Sequence, residues 1–203
     1  MRRIGALVFP GFETLDLFGP IEMFGTLPDD YSLHIVGETA ASGASRHGQT
    51  LAVDVPLESA EAFDIVLVPG GPGTRTQMKN PAVLDWLRRQ DGKASMMASV
   101  CTGSAMLARS GILDGRRATS NKMELGWISA RSPAVDWVSE ARWVEDGRYW
   151  TSSGVSAGID MSLAIIERQH GQKVADDVSK ITEYIRHRDP TNDPFATARS
   201  KGA

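Results

Sequence analysis

The stretch from Ala94 to Ala108 constrains this chain more than any other. Ala94-Ser95-Met96-Met97-Ala98-Ser99-Val100 is a short apolar run of the length of a buried strand. Small residues and Leu107 follow at helical spacing, and Gly111 closes the helix after Arg109 and Ser110. Cys101, the only cysteine, stands at the changeover. A residue between a buried strand and a helix sits on a tight turn, side chain outward, close to unpaired helix N–H groups. Their partial positive charge favours thiolate over thiol, so the expected pKa lies below the ordinary value of about 8.5. Small neighbours at Ser99, Gly103 and Ser104 allow the bend. The competing reading of a lone cysteine is a buried, inert thiol.

The same grammar recurs along the chain. Ile4–Phe9 and Phe63–Val68 are continuous apolar runs, as expected of parallel strands covered on both faces. The first turns at Pro10-Gly11-Phe12 into a helix over Thr14–Phe24, with Leu17, Ile21 and Phe24 on one face and Pro20 near a starting turn. Asp16 lies at the mouth of that connection, where an aspartate also serves as a helix cap. The second run ends in Pro69-Gly70-Gly71-Pro72-Gly73, a loop without the lysine or the spacing of a nucleotide-binding loop. Its glycines let backbone N–H groups approach a small anion or a developing oxyanion.

Tyr31–Val36 and Thr50–Val55 read as strands and Pro81–Gln90 as a helix. Arg116–Ser120 is a short strand or loop, Met123–Ala130 a helix, and Trp137–Asp146 with Tyr149–Thr151 a hairpin turning at Asp146-Gly147. Small residues from Ser152 to Gly158 open a long apolar helix through Ile166, and a last helix covers Val174–Ile185. These elements form one domain over residues 1–187. The polar tail 188–203, with Pro190 and Pro194, has the composition of a frayed end except for Phe195. Alternating strands and helices imply an α/β fold, a mainly parallel sheet with helices on both faces. Asp16, Gly70-Gly71, Cys101 and Ser153-Gly154 all fall at carboxyl ends of strands, where open α/β sheets bind ligands.

Composition removes several function classes. With 203 residues, 41% of them hydrophobic, the chain can bury a core without staples. A net charge of -3 argues against a nucleic-acid partner. No apolar run is long enough to span a bilayer, so no membrane partner is expected. One cysteine excludes an internal disulfide and fits a cytoplasmic location. No histidine or acidic cluster has metal-ligand spacing; His34 is a strand-face residue.

Leu15-Asp16-Leu17-Phe18-Gly19-Pro20, Pro69-Gly70-Gly71, Ser99-Val100-Cys101-Thr102-Gly103-Ser104 and Ser153-Gly154-Val155-Ser156-Ala157-Gly158-Ile159-Asp160 resemble the ThiJ/PfpI superfamily of class I glutamine-amidotransferase-like proteins over essentially the whole chain. Within it they are similar to the isocyanide hydratase branch, as is the tail Glu183-Tyr184 with Asp193-Pro194-Phe195. The resemblance implies a flavodoxin-like three-layer sandwich with a nucleophile elbow, and a homodimer with the pocket near the subunit interface. It implies Cys101 as nucleophile assisted by Asp16, and an oxyanion-type site from the N–H groups of Gly71 and Thr102 beside Gly70. A main-chain contribution near Gly154 completes it. Many superfamily members carry a histidine where Asn121 follows Ala118-Thr119-Ser120, and His34, His47, His170 and His187 do not match that position. This departure argues against glutaminase and protease chemistry.

The implied reaction is hydration of an organic isocyanide to an N-substituted formamide through a covalent thioimidate, with no metal and no organic cofactor. Phe12, Phe18 and Trp127 are candidate pocket walls. Two other functions fit the same cysteine. One is cofactor-free glyoxalase-type conversion of 2-oxoaldehydes, which needs a mobile base of the kind histidine supplies. The other is a non-catalytic ligand or redox sensor in which Cys101 oxidises.

Overall fold

The computed structural model describes residues 1–196; the rest of the expected tail lies outside the described residues. In chain order the elements begin β1 (Arg2–Leu7), α1 (Thr14–Gly25), β2 (Tyr31–Gly37), β3 (Val55–Pro56) and β4 (Ile65–Val68). Next come α2 (Thr74–Gln77), α3 (Pro81–Asp91), β5 (Met96–Val100), α4 (Gly103–Arg109), β6 (Arg117–Ala118) and α5 (Leu125–Ser129). The chain continues through β7 (Asp136–Trp137), β8 (Trp143–Asp146), β9 (Tyr149–Ser152), α6 (Ala157–His170) and α7 (Gln172–Ile181).

Seven strands form one sheet in the order β3-β2-β1-β4-β5-β9-β8. All neighbours run parallel except β8 and β9, which form the expected hairpin through Gly147-Arg148. Every residue of β4 and β5 is buried, so the non-alternating apolar runs do become strands covered on both sides. The covers are two separate helix groups: α1, α6 and α7 pack together, as do α2, α3 and α4, and both α4 and α6 reach β5. The result is a mainly parallel, flavodoxin-like α/β sandwich.

Local chemistry sets the helix starts. Asn80 caps α3 by accepting the Ala82 N–H at 3.0 Å, and Pro81 fills the first helical position, where its missing donor costs nothing. Pro20 lies inside α1 rather than at its start, and its missing N–H leaves the Asp16 carbonyl without its helical partner.

Several expected boundaries differ. The strand expected over Thr50–Val55 shrinks to β3 plus an isolated bridge between Ala41 and Ala52, because the loop side chains Ser42 and Ser45 take the local hydrogen bonds. The arm expected from Trp137 starts only at Trp143; β7 pairs instead with β6 in a separate two-stranded sheet. The helix expected over Met123–Ala130 starts at Leu125, because Asn121 folds the preceding residues into a turn. The helix expected to reach Ile185 ends at Ile181, and Glu183 follows with φ +51°.

Beyond α7 the chain is pinned. Tyr184 Oη and the His187 N–H donate to Asp160 Oδ1 at 3.1 and 2.9 Å. The Arg142 N–H donates to Pro190 O, and the Asp193 N–H to Glu140 O, each at 2.8 Å. Asp193 is buried, 3.9 Å from Lys122 Nζ and 3.8 Å from Arg142 Nη1, and Arg142 also pairs with Asp160 at 2.7 Å. Two buried cations thus face two buried anions. Removing one anion from such a group costs about 3 kcal/mol, because a charge is left uncompensated away from water. Asp193→Ala is therefore expected to lower the midpoint of thermal unfolding by about 6–12 °C for a chain of this size. A shift under about 2 °C in a calorimetric scan would mean that the cluster does not need this carboxylate.

Candidate active site

Parallel strands deliver the site residues to one edge. Cys101 directly follows β5 with φ +57°, a conformation that costs about 1–3 kcal/mol for a residue with a side chain. Hydrogen bonds hold it there. Its N–H donates to the carbonyls of Ser152 and Ser153 at 3.2 and 3.1 Å, beside the end of β9. Its carbonyl accepts from Ser120 Oγ at 2.8 Å and Ser104 Oγ at 3.1 Å.

Asp16 reaches the same point from the first turn of α1 and is fully buried. It does not cap the helix; Glu13 holds that position without a side-chain cap. Instead Asp16 Oδ2 accepts the Gly70 N–H at 2.9 Å, while Oδ1 is buried with no hydrogen-bonded nitrogen or oxygen among the described residues. The carboxylate acts electrostatically on the Cys101 thiol. Burial pushes the Asp16 carboxyl up to about 7, opposed by the Gly70 N–H and raised further by Glu13.

The thiol departs from expectation. Cys101 is 5% exposed, and its pKa is pushed up to about 12, first by burial and then by the negative charge of Asp16. Three donors oppose this: Asn121 Nδ2 at 3.2 Å from Sγ, and the backbone N–H groups of Thr102 and Val155. The partial charge at the start of the seven-residue α4 is thus outweighed by desolvation and a neighbouring carboxylate.

Asn121 is held for this task. Its Oδ1 accepts the N–H groups of Met123 and Glu124 at 2.9 and 3.3 Å, which leaves the amide NH₂ aimed at the sulfur. A Cβ on Gly154 would lie 2.6 Å from that nitrogen, so only glycine admits the approach. Gly154 contributes by absence of a side chain; the backbone donor to sulfur is its neighbour Val155, at φ +43°.

The expected oxyanion donors are also differently employed. The Gly70 N–H holds Asp16, and the Gly71 N–H donates to Thr102 Oγ1 at 2.9 Å. Thr102 Oγ1 further contacts Thr74 Oγ1 at 3.0 Å. Gly70 must be glycine, since a Cβ there would meet the Thr102 nitrogen at 2.5 Å. Both amides therefore fasten the loop to the site, and Gly71 also lines the cavity beside Cys101.

Cys101 and Thr102 open onto a cavity of about 410 Å³, lined also by Asn121, Glu13, Arg46 and Arg75. Glu13 is buried, accepts from Arg46 Nη1 at 2.9 Å and lies 3.6 Å from His47 Nδ1. Arg75 pairs with Glu124 at 2.7 Å and stacks on Trp127, its guanidinium 4.7 Å from the ring centre. None of the expected apolar walls lines this space: Phe12 is core, Phe18 points elsewhere, and Trp127 backs Arg75. Sequence reasoning missed Glu13, Arg46 and Arg75, whose partners come from distant loops that carry no local signal. Among the described residues no group of three histidine, cysteine or acidic side chains could hold a metal ion. No helix among them is long and apolar enough to cross a membrane.

The profile of the DJ-1/PfpI family matches residues 2–168. The chain belongs to the DJ-1/PfpI family. Among its relatives is the isonitrile hydratase of Pseudomonas putida, 34% identical over 184 residues, spanning 90% of this chain and 78% of that protein. The transcriptional regulator CdhR of Pseudomonas aeruginosa is 29% identical over 86% of this chain, but the match spans only 52% of the regulator. The crystal structure of a family protein from Pseudomonas syringae superposes with a TM-score of 0.82 at 27% identity, covering 98% of this chain and 83% of its own. A DJ-1 superfamily protein from Salmonella typhimurium, solved as a cysteine-to-alanine mutant, gives 0.79 at 26% identity, covering 91% of this chain and all of its own.

The buried carboxyl of this family member leaves a thermodynamic signature. A folded-state pKa of about 7 against 3.8 in the unfolded chain means that the native state binds the Asp16 proton more tightly. That contribution is complete below pH 3.8 and is lost as pH rises through about 7. Asp16→Asn keeps an acceptor for the Gly70 N–H but cannot ionise. Its unfolding midpoint relative to the native protein should therefore climb by several degrees between pH 5 and pH 8. A constant difference across that range would mean that Asp16 ionises as easily folded as unfolded.

Proposed function

We propose that this DJ-1/PfpI protein is an isocyanide hydratase, converting R–NC and water to R–NH–CHO. One observation carries the reading: the buried Asp16 carboxyl acts on the buried Cys101 thiol, and an amide, Asn121, donates to that sulfur in place of a histidine base. The 34% identity to an isonitrile hydratase supports it.

The terminal isocyanide carbon needs a nucleophile and a proton at the same atom. As Cys101 Sγ attacks it, the thiol proton passes to Asp16, and Asp16 delivers it to that carbon, giving the thioimidate R–N=CH–S. Asn121 and the Thr102 and Val155 N–H groups stabilise the sulfur charge that develops on the way. Asp16, now ionised, takes a proton from a water attacking the same carbon and passes it to nitrogen. Collapse of the tetrahedral R–NH–CH(OH)–S returns the hydroxyl proton to Asp16 and expels the thiolate as the formamide leaves. Thr102 positions this machinery, its hydroxyl tying the Gly71 loop to the cysteine turn. The natural setting we infer is a cytoplasmic homodimer; exposed Leu15 and Phe18, one turn apart on α1, support a contact face beside the site.

The deciding assay incubates the protein with p-nitrophenyl isocyanide and, separately, with methylglyoxal, following absorbance. Turnover of the isocyanide, abolished in Cys101→Ala, is expected. Turnover of methylglyoxal alone would overturn the hydratase reading in favour of a glyoxalase, and turnover of neither would favour a sensor.

The working form of the pair carries one proton, and it becomes populated as pH rises through the Asp16 value of about 7. The ratio kcat/KM should accordingly increase with pH through about 7, and the low rate remaining in Asp16→Asn should lack that limb. A profile flat from pH 6 to 8 in the native protein would exclude Asp16 as the proton carrier.

A further inference from the structure

A second hollow of about 280 Å³ adjoins the cysteine cavity. Asn121, Met123 and Val155 wall both spaces, so the two hollows share one boundary next to the sulfur that Asn121 contacts. The two differ in chemistry. The cysteine cavity is edged by Glu13, Arg46, Arg75 and Glu124, whereas the side chains of Met123, Val155 and Phe195 dominate the second. Lys122 also lines it, but its ammonium donates to Thr119 Oγ1 and Ala141 O, which leaves its alkyl stem toward the hollow.

Met123 and Phe195 are 89% and 60% exposed, an unfavourable setting for two large apolar side chains on the same hollow. Phe195 is not there by fraying. Its N–H donates to Asp193 Oδ1 at 2.9 Å, and Asp193 is seated among the buried cations Lys122 and Arg142. A well-anchored strap thus presents an aromatic ring to solvent at the hollow that adjoins the cysteine cavity.

We propose that this hollow is the subsite for the non-reacting substituent of the substrate, with Phe195 as its specificity-determining wall. The occupant is a flat, uncharged ring: a cavity of about 150 Å³ accepts benzene, so the larger hollow here has room for one substituted ring. The isocyanide carbon then lies at Sγ, the ring lies over Val155 between Met123 and Phe195, and the charged edge faces the attacking water. The identity of the substrate rests on the hydratase reading; the subsite itself requires only that Cys101 be the reacting atom.

The test compares the native protein with Phe195→Ala, a change at an exposed position that leaves the core intact. The first readout is the kcat/KM ratio of phenyl to methyl isocyanide. Loss of an aromatic wall should lower this ratio by up to about tenfold, chiefly through KM of the aryl substrate. The second readout is independent of hydration: the ratio of Cys101 alkylation rates by N-benzyl-iodoacetamide and by iodoacetamide, followed by mass spectrometry. It should fall in the same direction. Ratios unchanged within twofold in both assays overturn the proposal. So does a variant that elutes as a smaller species with both ratios unchanged, since the hollow would then be a contact between two copies of the chain. If the native protein hydrates no isocyanide, the hydratase reading fails and the alkylation ratio alone decides the subsite.

Discussion

A thiol and a carboxyl buried side by side can carry one negative charge between them at moderate cost, and a second only at a prohibitive one. Everything distinctive about this site follows from that limit. Burial raises both proton affinities, and the Asp16 charge raises that of the thiol further. Three donors converge on the sulfur and one on the carboxyl, yet the thiol keeps its proton in the resting protein. The useful property is not a permanently ionised cysteine. In the proposed hydration it is a proton that passes from sulfur to carboxylate while the net charge stays constant, which spares the site any large reorganisation.

The sheet serves this limit by bringing rigid backbone to one edge. The loop after β4 uses two successive amides to fasten Asp16 and Thr102, and the end of β9 clamps the Cys101 N–H. These bonds hold a cysteine in a left-handed conformation that an isolated turn would abandon. The same packing excludes side chains at Gly70 and Gly154, where a single methyl would collide with Thr102 or Asn121. The glycine-rich stretches are therefore spaces for other residues' polar atoms.

How much of this was legible in the sequence depends on the range of the interaction concerned. The central strands, the turn at Cys101 and the placement of Asp16 nearby follow from local patterns, because an apolar run that does not alternate has few ways to be buried. The raised thiol pKa was not legible. A helix start argues for a lowered value, and only the assembled burial and the carboxylate reverse the sign. The tail was misleading for a similar reason: its composition is polar, yet Asp193 is drawn in by Lys122 and Arg142 from far away in the chain. Short strands such as β3 and β7 were misjudged because two paired residues carry too little pattern to be distinguished from loop.

Asn121 bears most directly on what the family scaffold does in this chain. An amide can donate to a sulfur and hold it in place, but it cannot take up a proton near neutral pH as an imidazole does. Of the side chains that act on the sulfur, Asp16 is then the one able to take up a proton. Moving a proton between adjacent carbons asks a base to serve two positions. Addition across an isocyanide delivers the proton to the same carbon that the sulfur attacks, and one fixed carboxyl suffices for that. The mostly protonated thiol adds a second restriction. Oxidants react with thiolate, so a sulfur held near pKa 12 is a poor resting-state redox sensor, while in the proposed hydration the substrate draws the proton across to Asp16 and creates the nucleophile only when it is needed.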